Sequence, residues 1–152
     1  MKNIFIYLVA ILLISSVFAD EDLSIQLIHE AEKEVGFISS QDLKKLIDSE
    51  ANVIVLDVRE AYQKVDGAIY SDESYAITRG DLEFLIMSKI KNKNALIVTY
   101  CRGGHRSALA ALSLRHIGYK NATTLKGGIR AWAKSGYPIE TKIGITRLVK
   151  AY

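Results

Sequence analysis

The sequence predicts an α/β fold: an open, mainly parallel sheet with helices on both faces. Three observations carry this expectation. Apolar runs recur at Val53–Leu56, Ala95–Thr99 and Ala122–Leu125, of strand length and too short for helices. Segments with helical character lie between them, near residues 39–47, 81–90 and 108–117. The runs are continuous rather than alternating apolar with polar, which is the pattern of strands buried on two faces. Strands and helices that alternate along a chain form parallel sheets covered by helices.

The composition is that of an ordinary globular domain. The chain has 152 residues, 24% of them charged, with one proline and one cysteine. That length suffices for one domain with its own core. A net charge of +3 is too small to point to nucleic acid as a partner. A single cysteine rules out an internal disulfide, and no Cys/His cluster suggests a metal. No organic cofactor motif is present either, since the Lys-Ser/Thr pair of a nucleotide loop is missing.

Residues 1–19 read as a secretory signal peptide. Lys2 precedes a nearly continuous apolar stretch, Ile4 to Ile14, and Val17 and Ala19 occupy the small-residue positions before Asp20. Cleavage is expected after Ala19, giving a periplasmic or secreted protein with no stable membrane insertion. The apolar stretch is short against the roughly 20 residues of a membrane span. An uncleaved N-terminal anchor is the alternative. Residues 20–35 are acidic and loosely periodic, a leader or short helix, and the domain itself is expected over 36–152.

Within that domain each element has a local cause. Ser39 caps a helix whose apolar face is Leu43, Leu46 and Ile47, with Asp42 near its positive end. Asn52 turns the chain into the strand at Val53–Leu56, which is followed by Asp57-Val58-Arg59-Glu60. One or two helical turns are expected over Ala61–Val65, a short strand at Gly67–Tyr70 and a polar loop at Ser71–Tyr75. The helix at Asp81–Ile90 should bury Leu82, Leu85 and Ile86. Lys91-Asn92-Lys93-Asn94 turns into the second strand. A helix rich in alanine and leucine follows it, closed by Gly118. After the strand at Ala122–Leu125 come a tight turn, Lys126-Gly127-Gly128, and a short helix holding Trp132.

The chemistry centres on Tyr100-Cys101-Arg102-Gly103-Gly104-His105-Arg106-Ser107. The only cysteine lies between a strand end and a helix start, where open α/β sheets bind ligands. Unpaired N–H groups at the helix start, together with Arg102, His105 and Arg106, favour a thiolate. Gly103 and Gly104 let backbone amides approach an anion. Cys101 is therefore the candidate nucleophile, and Arg102, Gly103, Gly104, His105 and Arg106 are candidate substrate-binding residues. Arg106 should point inward, and His105 is more simply an exposed side chain. Asp57 and Arg59 are supporting candidates, Asp57 as a structural ion pair or cap and Arg59 to hold a neighbouring loop or an anion. Arg79 is a weaker candidate for the pocket rim.

These residues resemble a known family. Cys101-Arg102-Gly103-Gly104-His105-Arg106-Ser107 is similar to the active-site loop Cys-Arg-x-Gly-x-Arg-Ser of rhodanese-type sulfurtransferases. Leu56–Glu60, Gly67-Ala68-Ile69 and the stretch Leu125–Pro138 resemble the family's other signatures, in order, over about residues 36–140. The resemblance implies a single rhodanese-like domain in which Cys101 carries a persulfide. Related phosphatases use a longer Cys-x5-Arg loop, whereas Cys101 and Arg106 are spaced as Cys-x4-Arg, which in the family goes with sulfur transfer. The cationic loop resembles those of thiosulfate users more than mercaptopyruvate users. The expected partners are a small anionic sulfur donor, thiosulfate or polysulfide, and a sulfur-acceptor protein or small thiophile. The sequence departs from the family at Lys64-Val65-Asp66-Gly67, and Ser71–Tyr75 resembles an insertion.

Overall fold

The computed structural model describes residues 23–142 and 144–146. The expected signal peptide and its cleavage point after Ala19 lie outside the described residues. Residues 23–35 form helix α1, and its Ala31 and Val35 are buried in the domain.

The central sheet contains β1 (Phe37–Ile38), β2 (Val53–Asp57), β4 (Ser74–Ala76), β5 (Leu96–Tyr100) and β6 (Ala122–Leu125). Its order is β1-β6-β5-β2-β4, and every neighbouring pair is parallel. The helices are α2 (Ser40–Asp48), α3 (Leu82–Lys89), α4 (His105–His116) and α5 (Gly128–Lys134). They divide the sheet's side chains between two cores. Ile54, Leu56 and Ile97 pack with Val35 of α1, Leu82 and Ile86 of α3 and Leu114 of α4. Val53, Val55, Val98 and Tyr100 pack with Leu43 of α2 and Trp132 of α5. Successive strand residues thus enter opposite cores, which explains the continuous apolar runs. The predicted α/β fold is the observed one.

Local chemistry accounts for the boundaries. Ser39 Oγ accepts the Asp42 N–H at 3.0 Å at the start of α2. Gly118, at φ +101°, ends α4 in the left-handed conformation. Trp132 is buried, and its Nε1–H donates to Pro138 O at 2.8 Å.

Two expectations are corrected, and one expected strand forms in a separate sheet. Ser71–Tyr75 was expected to be loop, yet Ser74–Ala76 forms edge strand β4 alongside β2. Its pairing uses backbone groups, so a polar sequence gives no warning of it. The strand expected at Gly67–Tyr70 is β3 (Ala68–Ile69), which pairs antiparallel with β7 (Ile139–Thr141) in a separate small sheet completed by β8 (Gly144–Thr146). Leu85 was expected on the buried face of α3 but is 44% exposed, because Leu82 and Ile86 already fill the contact with the sheet.

The register fixes the site. Asp57 pairs with Tyr100, so β2 and β5 end level. The cysteine loop and the Asp57–Arg59 segment leave the sheet side by side from those carboxyl ends.

Candidate active site

Cys101 follows the last residue of β5 and is 3% exposed. The chain then turns through Arg102 and Gly103 to Gly104, which precedes α4. Gly104 adopts φ +108°, and a side chain there would press on the Gly127 backbone. The positive φ favours glycine here, and the neighbouring backbone would have to give way to any side chain. The turn aims the Gly104 N–H at Cys101 Sγ, 3.2 Å away. Burial pushes the thiol up. The Ser107 hydroxyl and the N–H groups of Ser107, Gly104 and Gly103 pull it down and prevail, leaving it below the ordinary thiol value.

Ser107, in the first turn of α4, is buried and locks this arrangement. Its Oγ lies 2.7 Å from Gly104 O and 2.7 Å from Thr124 Oγ1 on β6. Thr99 Oγ1 on β5 lies 2.8 Å from Ser107 O as its donor. The loop is thus tied to two strands by hydroxyl groups.

The turn before α5 closes the loop from the other side. Ile129 N–H donates to Cys101 O at 2.9 Å, and Arg130 N–H donates to Arg102 O at 3.2 Å. Gly128, at φ +59°, lies so close that an added Cβ would collide with Cys101 O and the Arg102 carbonyl. Lys126-Gly127-Gly128 reads in the sequence as a simple turn. In the structure its second glycine is the contact surface for the cysteine loop.

Asp57 and Arg59 form a buried pair with both side chains 4% exposed. Arg59 Nε lies 3.0 and 3.1 Å from the two carboxylate oxygens, and Nη2 donates to Oδ2 at 2.6 Å. Burial disfavours the Arg59 charge, and Asp57 more than offsets this, holding the guanidinium above its ordinary value. The remaining donors reach Gln63 O at 2.9 Å and Gly67 O at 2.7 Å. Of the two roles open to Arg59, the structure shows the first, holding the neighbouring segment. Tyr100 OH donates to Asp57 Oδ2 at 2.9 Å and accepts Ile69 N–H at 3.2 Å. Burial and the Asp57 charge push this phenol far up, so it remains a neutral donor.

The loop cations are distributed differently from a ring around the thiol. His105 is exposed, as expected, and so are Arg102 and Gly103. Arg106 is half-buried and its Nη2 donates to Gln63 Oε1 at 2.8 Å. Arg59 thus fixes the backbone of Gln63, whose side chain holds Arg106. Arg79 belongs to the scaffold: it binds Glu83 Oε1 at 2.8 Å and Ser113 Oγ at 2.8 Å, joining α3 to α4. Beside the loop lies a cleft of about 770 Å³. One wall is the 3-10 turn at Ala61–Lys64 with Asp66 and Gly67; the other is α5. Arg102 joins the cleft to the cysteine loop, and Cys101 itself does not line it.

Residues 39–135 match the rhodanese-like domain. The chain belongs to the rhodanese-like domain family. A sulfurtransferase of Allochromatium vinosum is 33% identical over 105 residues, which cover 69% of this chain and 94% of the relative. The thiosulfate sulfurtransferase GlpE of Actinobacillus succinogenes is 28% identical over 62% of this chain and 81% of its own. Two further relatives are larger, and the chain spans 25% of their length. Among solved structures, the 30 kDa polysulfide-sulfur transferase homodimer from Wolinella succinogenes is similar with a TM-score of 0.70. It is 25% identical, covering 81% of this chain and 90% of that one.

Sequence reasoning found the rhodanese-like loop but gave no role to Ser107, Tyr100 or Gln63, and read Gly128 only as part of a turn. A serine three residues after Gly104, at a helix start, is the signal that Ser107 closes the turn. The glycine pair after β6 is the corresponding signal for Gly128.

Proposed function

We propose that this protein is an exported sulfurtransferase that moves sulfane sulfur from thiosulfate to a thiophilic acceptor through a Cys101 persulfide. One observation carries the reading: a buried thiol held below its ordinary pKa inside a turn of converging N–H groups. Export rests on the sequence of residues 1–19.

The chemistry follows from the charges. The Cys101 thiolate attacks the outer sulfur of thiosulfate; a sulfur–sulfur bond forms to Cys101, and the bond to the sulfonate sulfur breaks. Sulfite leaves with the bonding pair. Two anions must meet, so the amides of Gly103, Gly104 and Ser107 and the guanidinium of Arg102 offset their repulsion. Arg106, held by Gln63, adds positive charge at the helix start. The persulfide then remains in the same cradle, its outer sulfur open to attack by cyanide or a thiol, which regenerates the thiolate. Such two-step covalent transfer gives ping-pong kinetics.

The test is the intact mass of the protein after incubation with thiosulfate. A gain of one sulfur, absent in Cys101→Ser, is the expected result, with thiocyanate forming when cyanide is added. Turnover that survives in Cys101→Ser would refute the reading. A second reading, a carrier that hands its persulfide to a partner protein, is favoured by the near-complete burial of Cys101 and the likeness to the Wolinella polysulfide-sulfur transferase. Sulfur loading with negligible turnover to cyanide distinguishes it.

A further inference from the structure

Two arginines of the scaffold, Arg59 and Arg79, are each paired with a carboxylate, from Asp57 and Glu83. Arg106, in the first turn of α4, is held differently. Its Nη2 donates at 2.8 Å to Gln63 Oε1, a neutral amide oxygen. Among the described residues no carboxylate pairs with Arg106. Its positive charge is therefore fixed in place without being compensated.

Gln63 is itself firmly placed. Its N–H donates to Glu60 O at 2.9 Å, and its carbonyl accepts from Nη1 of the buried Arg59 at 2.9 Å. Glu60 N–H reaches the same Oε1 that Arg106 does, at 3.4 Å. Both side-chain contacts come from donors, so the amide must present its oxygen to them rather than its nitrogen. A glutamate at this position would have the same shape and would grip the guanidinium more strongly, through charge-assisted bonds. It would also cancel the charge that the guanidinium carries toward an incoming anion. The weaker anchor is the one that keeps the cation available.

We infer that Gln63 is a positioning residue that sets the donor's charge: by holding Arg106 through a neutral amide, it tunes the loop to a dianionic sulfur donor over a monoanionic one. The inference rests on the persulfide reading above and adds a determinant of donor specificity to it. The two donor classes react alike and differ only in charge. With thiosulfate, the Cys101 thiolate attacks the outer sulfur, the sulfur–sulfur bond of the donor breaks, and sulfite leaves with the bonding pair. With an alkyl thiosulfonate, a monoanion, the same bond breaks and a sulfinate leaves. One more negative charge has to be accommodated beside the thiolate in the first case than in the second.

The test compares thiosulfate with methanethiosulfonate as donors to cyanide, in the wild type and in Gln63→Glu. The ratio of kcat/KM for thiosulfate to that for methanethiosulfonate should fall by about fivefold or more in the variant, chiefly through the KM for thiosulfate. Both donors are measured on one sample, so a partial loss of folded protein cancels from the ratio. Gln63→Ala removes the anchor without adding charge and should lower both donors by a similar factor. Arg106→Gln removes the cation itself and should move the ratio in the same direction as Gln63→Glu, which keeps the question answerable if the glutamate variant fails to fold. An unmoved ratio in Gln63→Glu or in Arg106→Gln would overturn the inference. So would a ratio that falls as far in Gln63→Ala as in Gln63→Glu, since the loss would then come from misplacing Arg106 and not from charge. In each of these cases a wild type that gains sulfur from both donors leaves the persulfide reading standing. A wild type that gains sulfur from neither overturns both.

Discussion

Replacing Asp57 with alanine should destabilise the domain more than any truncation of a surface charge. The variant leaves the Arg59 guanidinium 4% exposed with its carboxylate gone. Four contacts from Arg59, one of them from its backbone N–H, and one from Tyr100 OH disappear together. Breaking one side of a buried pair costs about 3–5 kcal/mol, chiefly as an uncompensated buried charge. That amounts to a fall in Tm of roughly 10–20 °C for a domain of this size. Exposed pairs such as Lys45–Asp42 contribute far less, because solvent screens both charges. Urea unfolding followed by circular dichroism measures the loss. If the unpaired charge is its cause, Arg59→Met should be comparably costly, and Asp57→Ala/Arg59→Met should fall short of the sum by about 2 kcal/mol or more. A loss under about 1 kcal/mol for Asp57→Ala, or strict additivity in the double variant, would refute the reasoning.

Four other substitutions probe the loop and its surroundings. Ser107→Ala removes the hydroxyl that helps hold the Cys101 thiol down. The thiolate is lost as pH falls through its pKa, so a raised pKa should move the loss of iodoacetamide reactivity to higher pH; an unmoved or lower profile would contradict the assignment. Gly128→Ala and Gly36→Ala both place alanine at positive φ, costing about 1–2 kcal/mol. Only the first collides with the cysteine loop, since Gly36 has open space around it. Sulfur loading from thiosulfate should therefore collapse in Gly128→Ala and persist in Gly36→Ala. Ser39→Ala removes the cap of α2 and should cost about 1 kcal/mol in urea unfolding with sulfur loading retained.

The parts legible in the sequence are those whose signal is local and repeated. Val53–Leu56 and Ala95–Thr99 are read as strands because their apolar side chains enter the cores on both faces of a covered sheet. Cys101 is read as special because a thiol stands in a basic glycine turn past a strand end. The illegible parts depend on pairing at a distance. Strands β1, β4, β7 and β8 are two or three residues long, too short for any periodicity. The bond from Arg106 to Gln63 crosses 43 positions, and that from Tyr100 to Asp57 another 43. Neither leaves a mark in its own neighbourhood. Gly128 is half-legible: two adjacent glycines announce a tight turn, but what the turn touches is set by the sheet order.

The loop also separates two tasks that the sequence merges. Counted along the chain, Arg102, His105 and Arg106 all stand close enough to lower the thiol. In the structure the groups that pull it down are the Ser107 hydroxyl and the backbone amides of Gly103, Gly104 and Ser107. Backbone amides suit that task because they are fixed by the fold and cost no side-chain entropy when an anion forms. The cations then remain free for other work. Arg102 is exposed at the mouth of the cleft, and Arg106 is positioned through Gln63, whose backbone Arg59 holds. A thiolate neutralised by arginine would be a poorer nucleophile toward a dianion, because the same charge could not serve both partners. Stabilising sulfur by amides and leaving guanidinium groups to the incoming anion resolves that conflict. It follows that Arg102→Ala should raise the KM for thiosulfate while leaving the pH midpoint of Cys101 alkylation close to that of the wild type. A shift of that midpoint as large as the one in Ser107→Ala would show that the two tasks are not separate.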